Sequence, residues 1–159
     1  MGKQDVFLQL EGIAGESKDE KKKDWLQLEN YGFQAFGARD IATNQRTGRT
    51  QMSPVTCAKP ADKATPKLYG ALWKNQKIPK ATLIVRKAGK EQLDFLIYEL
   101  EDVYISAISV SGSAGEEAAT PGEVFSLSYS KMTVNYKEQK ADGTLGGTVS
   151  ETYDLKTAK

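Results

Sequence analysis

The sequence predicts a mainly β fold: a small closed or nearly closed barrel of two packed antiparallel sheets with one short flanking α-helix. Apolar residues recur at every second position along most of the chain, the mark of strands with one buried face. Turn-forming residues divide these runs at short intervals. One segment alone combines helical spacing with a start signal. At 159 residues and 39% hydrophobic content, the chain reads as a single domain spanning 1–159, with apolar material for one core.

In chain order, Val6, Leu8 and Leu10 alternate with Gln9 and Glu11 and give a first strand, ended by Gly12 and Gly15. From Glu16 to Asp24, four acids and four lysines cancel, so the stretch reads as a solvated connection. A second strand runs from Trp25 to Phe33, with Leu26, Leu28 and Asn30 on one side and Tyr31 and Phe33 on the other. Gly37 to Gln51 loses periodicity and collects Gly, Thr, Asn, Gln and Arg, which predicts a long exposed loop at about 37–53. Pro54 opens a short strand through Val55 and Cys57, where a proline is tolerated at a strand's start. Cys57 reads as a small buried hydrophobe.

Thr65 offers a capping hydroxyl and Pro66 fits the first helical position, so a helix starts there. Leu68, Ala71, Leu72 and Asn75 share one face, and Gly70 leaves room for close packing. Ala81, Leu83 and Val85 alternate out, and Leu93, Phe95 and Ile97 alternate back, as a hairpin. A separate strand from Val103 to Val110 puts Tyr104, Ile108 and Val110 on one side. Phe125, Leu127 and Tyr129 share one parity and Met132, Val134 and Tyr136 the other, so the pattern slips near Ser130, as a β-bulge would make it. Val149, Glu151, Tyr153 and Leu155 form the last strand.

Composition excludes much chemistry. The chain has no His, which removes the commonest general base and metal ligand. Cys57 is the only cysteine, so neither an internal disulfide nor a multi-thiolate metal site can form. A net charge of +1 gives no global field for nucleic acid or acidic lipid. No run of about 18 apolar residues occurs, and the first residues lack a signal-peptide core, so neither membrane insertion nor Sec-type export is expected. Gly143 to Thr148 lacks the Lys-Ser/Thr ending of a phosphate loop. Glu101-Asp102 and Glu116-Glu117 read as surface acids. The expectation is no enzyme, no catalytic residue, no cofactor and no metal.

The arginines are more informative. There are 18 lysines and four arginines, and Arg39, Arg46 and Arg49 all lie in the long loop. Arginine is enriched and lysine depleted in protein interfaces, because a planar guanidinium is weakly hydrated and binds carboxylates with two bonds. The loop therefore reads as a docking element.

Several strings, in order, resemble the hemolysin-coregulated protein (Hcp) family, the tube protein of type VI secretion. They are Gly15-Glu-Ser-Lys-Asp19, Thr65-Pro-Lys-Leu68, Arg86-Lys-Ala-Gly89, the Ser- and Gly-rich turn Ser111 to Glu116, and Gln139-Lys-Ala-Asp-Gly143. The resemblance spans nearly the whole chain. It implies a phage tail-tube-like barrel that forms homohexameric rings, which stack into a hollow tube. It also implies assembly in the bacterial cytoplasm, then secretion with the spike. The partners would be the tip spike protein, the contractile sheath, the baseplate and small effector proteins carried in the lumen, with no nucleic acid. The resemblance maps ring stacking onto Gly37, Arg39, Asp40, Arg46 and Arg49, opposed by Ser111, Glu116 or Glu117. Asn30 and Gly32 become lumen candidates, with Gly32 where a close relative carries an effector-associated serine. The alternative is a monomeric small-ligand-binding barrel of lipocalin type.

Overall fold

The structure is a computed structural model describing residues 4–87, 93–115 and 120–159. Its strands are β1 (Gln4–Leu10), β2 (Leu26–Leu28), β3 (Asn30–Gly32), β4 (Ala35–Phe36), β5 (Gln51–Met52), β6 (Val55–Pro60), β7 (Ile78–Lys87), β8 (Leu93–Ser111), β9 (Gly122–Ser128), β10 (Lys131–Gln139) and β11 (Leu145–Asp154). One helix, α1 (Thr65–Trp73), sits between β6 and β7. Two antiparallel sheets share β8: the first runs β2-β1-β7-β8-β10-β11, the second β8-β9-β6-β3. The mainly β class is as the alternation predicts, but the barrel is not closed, because β11 pairs with β10 alone.

Leu8, Leu26, Leu83 and Leu100 from the first sheet meet Val55, Cys57, Phe125 and Leu127 from the second, with Leu68 of α1 alongside. Each such side chain contributes about 1.5–3 kcal/mol by leaving water. Cys57 is fully buried as expected, and burial pushes its thiol up to about 12.

The slip near Ser130 and the two-faced run from Trp25 to Phe33 both prove to be corners where the chain changes sheets. Leu26 and Leu28 pair with β1 in the first sheet; after Glu29, β3 pairs with β6 in the second. The expected single strand from Trp25 to Phe33 is therefore two. Near Ser130 the same happens: β9 pairs with β8 in the second sheet and β10 with β8 in the first. The break replaces the expected bulge, and it leaves Tyr129 and Met132 both buried.

Opposite this corner β8 bends at Asp102, whose φ of 54° lies in the left-handed region. Ser130 Oγ donates to the Asp102 carboxylate at 2.9 Å and Ser130 N to Glu101 O at 3.0 Å, tying the two bends together. The hairpin's return strand and the expected separate strand from Val103 are thus one 19-residue strand. The bend also corrects the parity: Val103 and Ile105 are buried while Val110 is exposed.

The polar stretch Glu16 to Asp24 is mostly exposed, as a solvated connection would be, but Ser17 and Lys22 are buried in it. It folds back over the outer face of the first sheet, with Ser17 N donating to Trp25 O at 3.0 Å and Gly15 N to Asp24 O at 2.7 Å. A Cβ at Gly15 would run into the Trp25 carbonyl, so only glycine fits this approach. The stretch covers Phe7 and Arg86, both nearly fully buried. Arg86 Nη2 meets Asp19 at 2.8 Å and Asp5 at 3.2 Å, and its guanidinium lies over the Phe7 ring at 4.7 Å. The Arg86 hydrogen bond holds the Asp19 carboxyl down at about 2. Lys22, also buried, reaches Asp94 at 3.0 Å. Opposite charges at long sequence separation produce this cover, and local periodicity does not register it.

Helix α1 begins one residue earlier than the capping argument predicts. Ala64 is the N-cap, Thr65 is already helical and Pro66 follows it. The Thr65 hydroxyl accepts from Asp62 N at 3.0 Å and donates to Glu123 at 2.6 Å, so it anchors the helix to β9. Leu68 and Ala71 are buried while Asn75 is exposed, ending the helix with a positive φ of 51°. Nothing lies within contact of a Cβ built on Gly70, so no close packing uses it.

Candidate assembly surfaces

The aperiodic stretch after β3 is ordered as a two-stranded arm. Ala35 and Phe36 pair with Met52 and Gln51, and beyond them Arg39 bridges Arg46. Thr47 N donates to Ala38 O at 2.9 Å, and Asp40 N to Gln45 O at 2.9 Å. Asp40 caps the tip: its Oδ1 accepts from Ala42 N and Thr43 N, each at 2.9 Å, and these donors hold its carboxyl below the usual range. Asn44 turns the chain with a φ of 60°, which asparagine tolerates better than most residues. Ile41 stands fully exposed at the tip.

The three loop arginines shape the arm with their own guanidinium groups. Arg39 donates to Asn44 O at 2.8 Å and Arg46 to Thr50 Oγ1 at 3.0 Å, with the Arg46 guanidinium lying against Gly37. Arg49 donates to Leu155 O at 2.9 Å and ties the arm's base to the turn after β11. Among the described residues none of the three makes an ion pair, and all remain exposed.

The outward face of the second sheet has a different character. In register across β3, β6, β9 and β8 stand Asn30, Ala58, Val124 and Ser109, then Gly32, Thr56, Ser126 and Ala107. None of these is charged, in a chain where 27% of residues are. The charged pair on these strands, Lys59 and Glu123, points inward and is buried: Lys59 Nζ lies 3.5 Å from Glu123 and 2.9 Å from Asp62. Asn30 and Gly32 line a shallow depression of about 540 Å³ with Phe33, Gln34, Thr56 and Ser126. No atom lies within contact of a Cβ built on Gly32, so the recess is open above it.

The arm leaves one end of the second sheet, after β3 and before β6. At the opposite end of the same two strands, Glu29 precedes β3, Pro60 ends β6, and Ala61 and Asp62 follow it. There Glu16, Glu29 and Asp62, with Gln27, Leu28 and Thr120, line a cleft of about 460 Å³. Ser111 closes β8 at this end, paired with Gly122. Glu116 and Glu117, the other expected opponents of the arm, lie outside the described residues. Ile41, Glu16 and Glu29 were not singled out from the sequence. A lone isoleucine between Asp40 and Ala42 in a polar turn was the available sign for the first, whereas the acids meet only through the topology.

A family model described as "Type VI secretion system effector, Hcp" matches residues 7–136. The chain belongs to the Hcp family of type VI secretion proteins. It is similar to Protein hcp1 of Pseudomonas aeruginosa, 31% identical over 146 residues that cover 90% of this chain and 89% of that one. Among solved structures, a type six secretion system protein superposes with a TM-score of 0.90 at 27% identity, covering 99% of both chains. Hcp1 from Salmonella typhimurium gives 0.78 at 31%, covering 100% of this chain and 99% of that one. As an Hcp-family protein the chain belongs with the structural proteins of type VI secretion, and it shares its fold with these solved structures. Among the described residues no helix is long and apolar enough to cross a membrane.

Proposed function

We propose that this Hcp-family chain is a tube subunit: six copies close into a ring, rings stack into a hollow tube, and the tube leaves the bacterium with small effector proteins in its lumen. The observation that carries this reading is the arm. Its backbone hydrogen bonds are made within itself and its base is clamped by Arg49, yet its tip packs on nothing in its own chain. An ordered, exposed element with interface-type arginines supports contact with another copy. The uncharged face carrying Asn30 and Gly32 supports a lumen wall, since the remaining surface is rich in lysine. Gly32 would leave that wall without the serine hydroxyl associated with effectors in a close relative. Head-to-tail closure within a ring and a separate ring-to-ring contact would let one small chain build an open-ended tube. Sheath, baseplate and tip spike would then meet its outside and its ends.

The test is solution mass by light scattering across protein concentration, with electron microscopy of the same samples. The expected result is a mass near six chains and annular particles. A strict monomer of 17.5 kDa at high concentration would overturn the ring and favour a ligand-binding barrel.

A further inference from the structure

We infer that the outward face of α1, built on Tyr69 and Trp73 and flanked by lysines, is a docking surface for an anionic lipid bilayer. The inference goes beyond the tube reading and asks nothing of ring or stack.

The first argument is the helix itself. Leu68 and Ala71 turn into the core, so the opposite stripe is Pro66, Tyr69, Gly70 and Trp73, at i, i+3, i+4 and i+7 spacing. Trp73 is 77% exposed, and the Tyr69 ring lies beside it at 5.5 Å between centroids, tilted by 31°. A tryptophan held by a neighbouring ring with most of its indole in water is a large apolar group that folding leaves unused. No atom lies within contact of a Cβ built on Gly70, so the stripe is open between the two rings and their lysine flank.

The second argument is charge. Between Lys63 and Lys77 stand four lysines and no acid, in a chain whose net charge is only +1. Lys63 meets Asp24 at 3.8 Å and Lys77 meets Asp102 at 3.1 Å. Asp62, just before the helix, is matched by Lys59 at 2.9 Å. That leaves Lys67 and Lys74, two turns apart on the same flank of the stripe, exposed and, among the described residues, without an ion-pair partner. The positive charge is local, beside the aromatic pair, where a field averaged over the chain does not register it.

The third argument is the type of residue, which favours lipid over protein. The arm carries arginines, whereas every cation on this face is a lysine, and protein interfaces are depleted in lysine. An anionic bilayer attracts lysine readily: the ammonium stays among the headgroups while its alkyl stem lies along the apolar boundary. Tryptophan and tyrosine are the aromatic residues of that boundary, with an apolar ring body and a polar tip. Helix α1 would lie flat on the surface by its outer stripe and keep its inner stripe on the barrel.

The experiment mixes the whole protein with vesicles of equal parts phosphatidylcholine and phosphatidylglycerol, or of phosphatidylcholine alone, and follows co-sedimentation and tryptophan emission. The expected result is pelleting and a blue shift with the anionic vesicles only, both reversed by added salt. Trp25, the chain's other tryptophan, remains in Trp73→Ser, so the shift should vanish in that variant. Trp73→Ser, and Lys67→Glu with Lys74→Glu, should each weaken lipid binding at least about tenfold while leaving the urea midpoint in place. No pelleting with anionic vesicles, or full binding kept by either variant, overturns the inference. Soluble poly-glutamate that shifts the Trp73 emission where vesicles do not would also overturn it, and would assign the face to an acidic protein.

Discussion

Two polar segments that look alike in the sequence have opposite fates in the fold. The stretch Glu16–Asp24 and the arm between Gln34 and Ser53 both lack periodicity and both carry charges. The first lies flat on the sheet because its charges find partners far along the chain: Asp19 meets Arg86 and Lys22 meets Asp94. The second stands away because its arginines bond to carbonyls and hydroxyls nearby or at its base. What separates a cover from an arm is the kind of partner each charge finds: opposite charges across the sheet for the cover, neutral oxygens for the arm. A guanidinium satisfied by backbone carbonyls keeps its full positive charge available to another molecule.

The largest effect should come from the cover. Arg86→Met should cost about 3 kcal/mol in urea unfolding, because Asp5 and Asp19 lose the cation they face and Asp19 is mostly buried. Glu123→Ala should cost about 2 kcal/mol in the same measurement, since the Thr65 hydroxyl and the Lys59 ammonium lose a buried acceptor. A loss under about 0.5 kcal/mol for Arg86→Met would mean the cover is solvated after all.

Acid should separate the regions next. Asp19 titrates at about 2 in the fold against an ordinary 3.8, so its contribution is complete above the ordinary value and disappears as pH falls through the folded one. The wild-type urea midpoint should therefore fall between about pH 4 and pH 2. Arg86→Met should fall less over that window, the remainder including Asp102, held at about 2 by Ser130, Lys77 and Lys156.

The smallest global effects belong to the arm. Ile41→Ser should leave unfolding stability within about 0.5 kcal/mol of wild type, because the side chain touches no core. Asp40→Ala should leave the midpoint unmoved while hydrogen exchange at the Ala42 and Thr43 amides speeds up. A shifted midpoint in either variant would show that the arm is part of the cooperative fold.

The class of fold was legible because alternation reports burial directly, as at Leu8, Cys57, Phe125 and Leu127. The corner at Ser130 was visible as a slip in parity and the one at Glu29 only as a strand apolar on both faces, but one sequence does not say whether such a break is a bulge or a change of sheet. Pairing partners decide that, and they are distant. Of the candidate surfaces, the arginines of the arm announced themselves by type and clustering. Glu16 and Glu29 did not, because the cleft exists only once β3 and β6 have brought a loop, a strand end and a helix entrance together. Asn30 and Gly32 face outward on a sheet whose uncharged character emerges from four strands read side by side.

Strand β8 is also a mechanical element. Its 19 residues run through both sheets, hydrogen-bonded to β7 and β10 in one and to β9 in the other. A thrust applied at one end of the molecule would load many ladder bonds in parallel, in shear, before any could yield singly. The bend at Asp102 is where such a beam would buckle, and Ser130, Lys77 and Lys156 brace its carboxylate from three directions. Stiffness under compression is set at that corner.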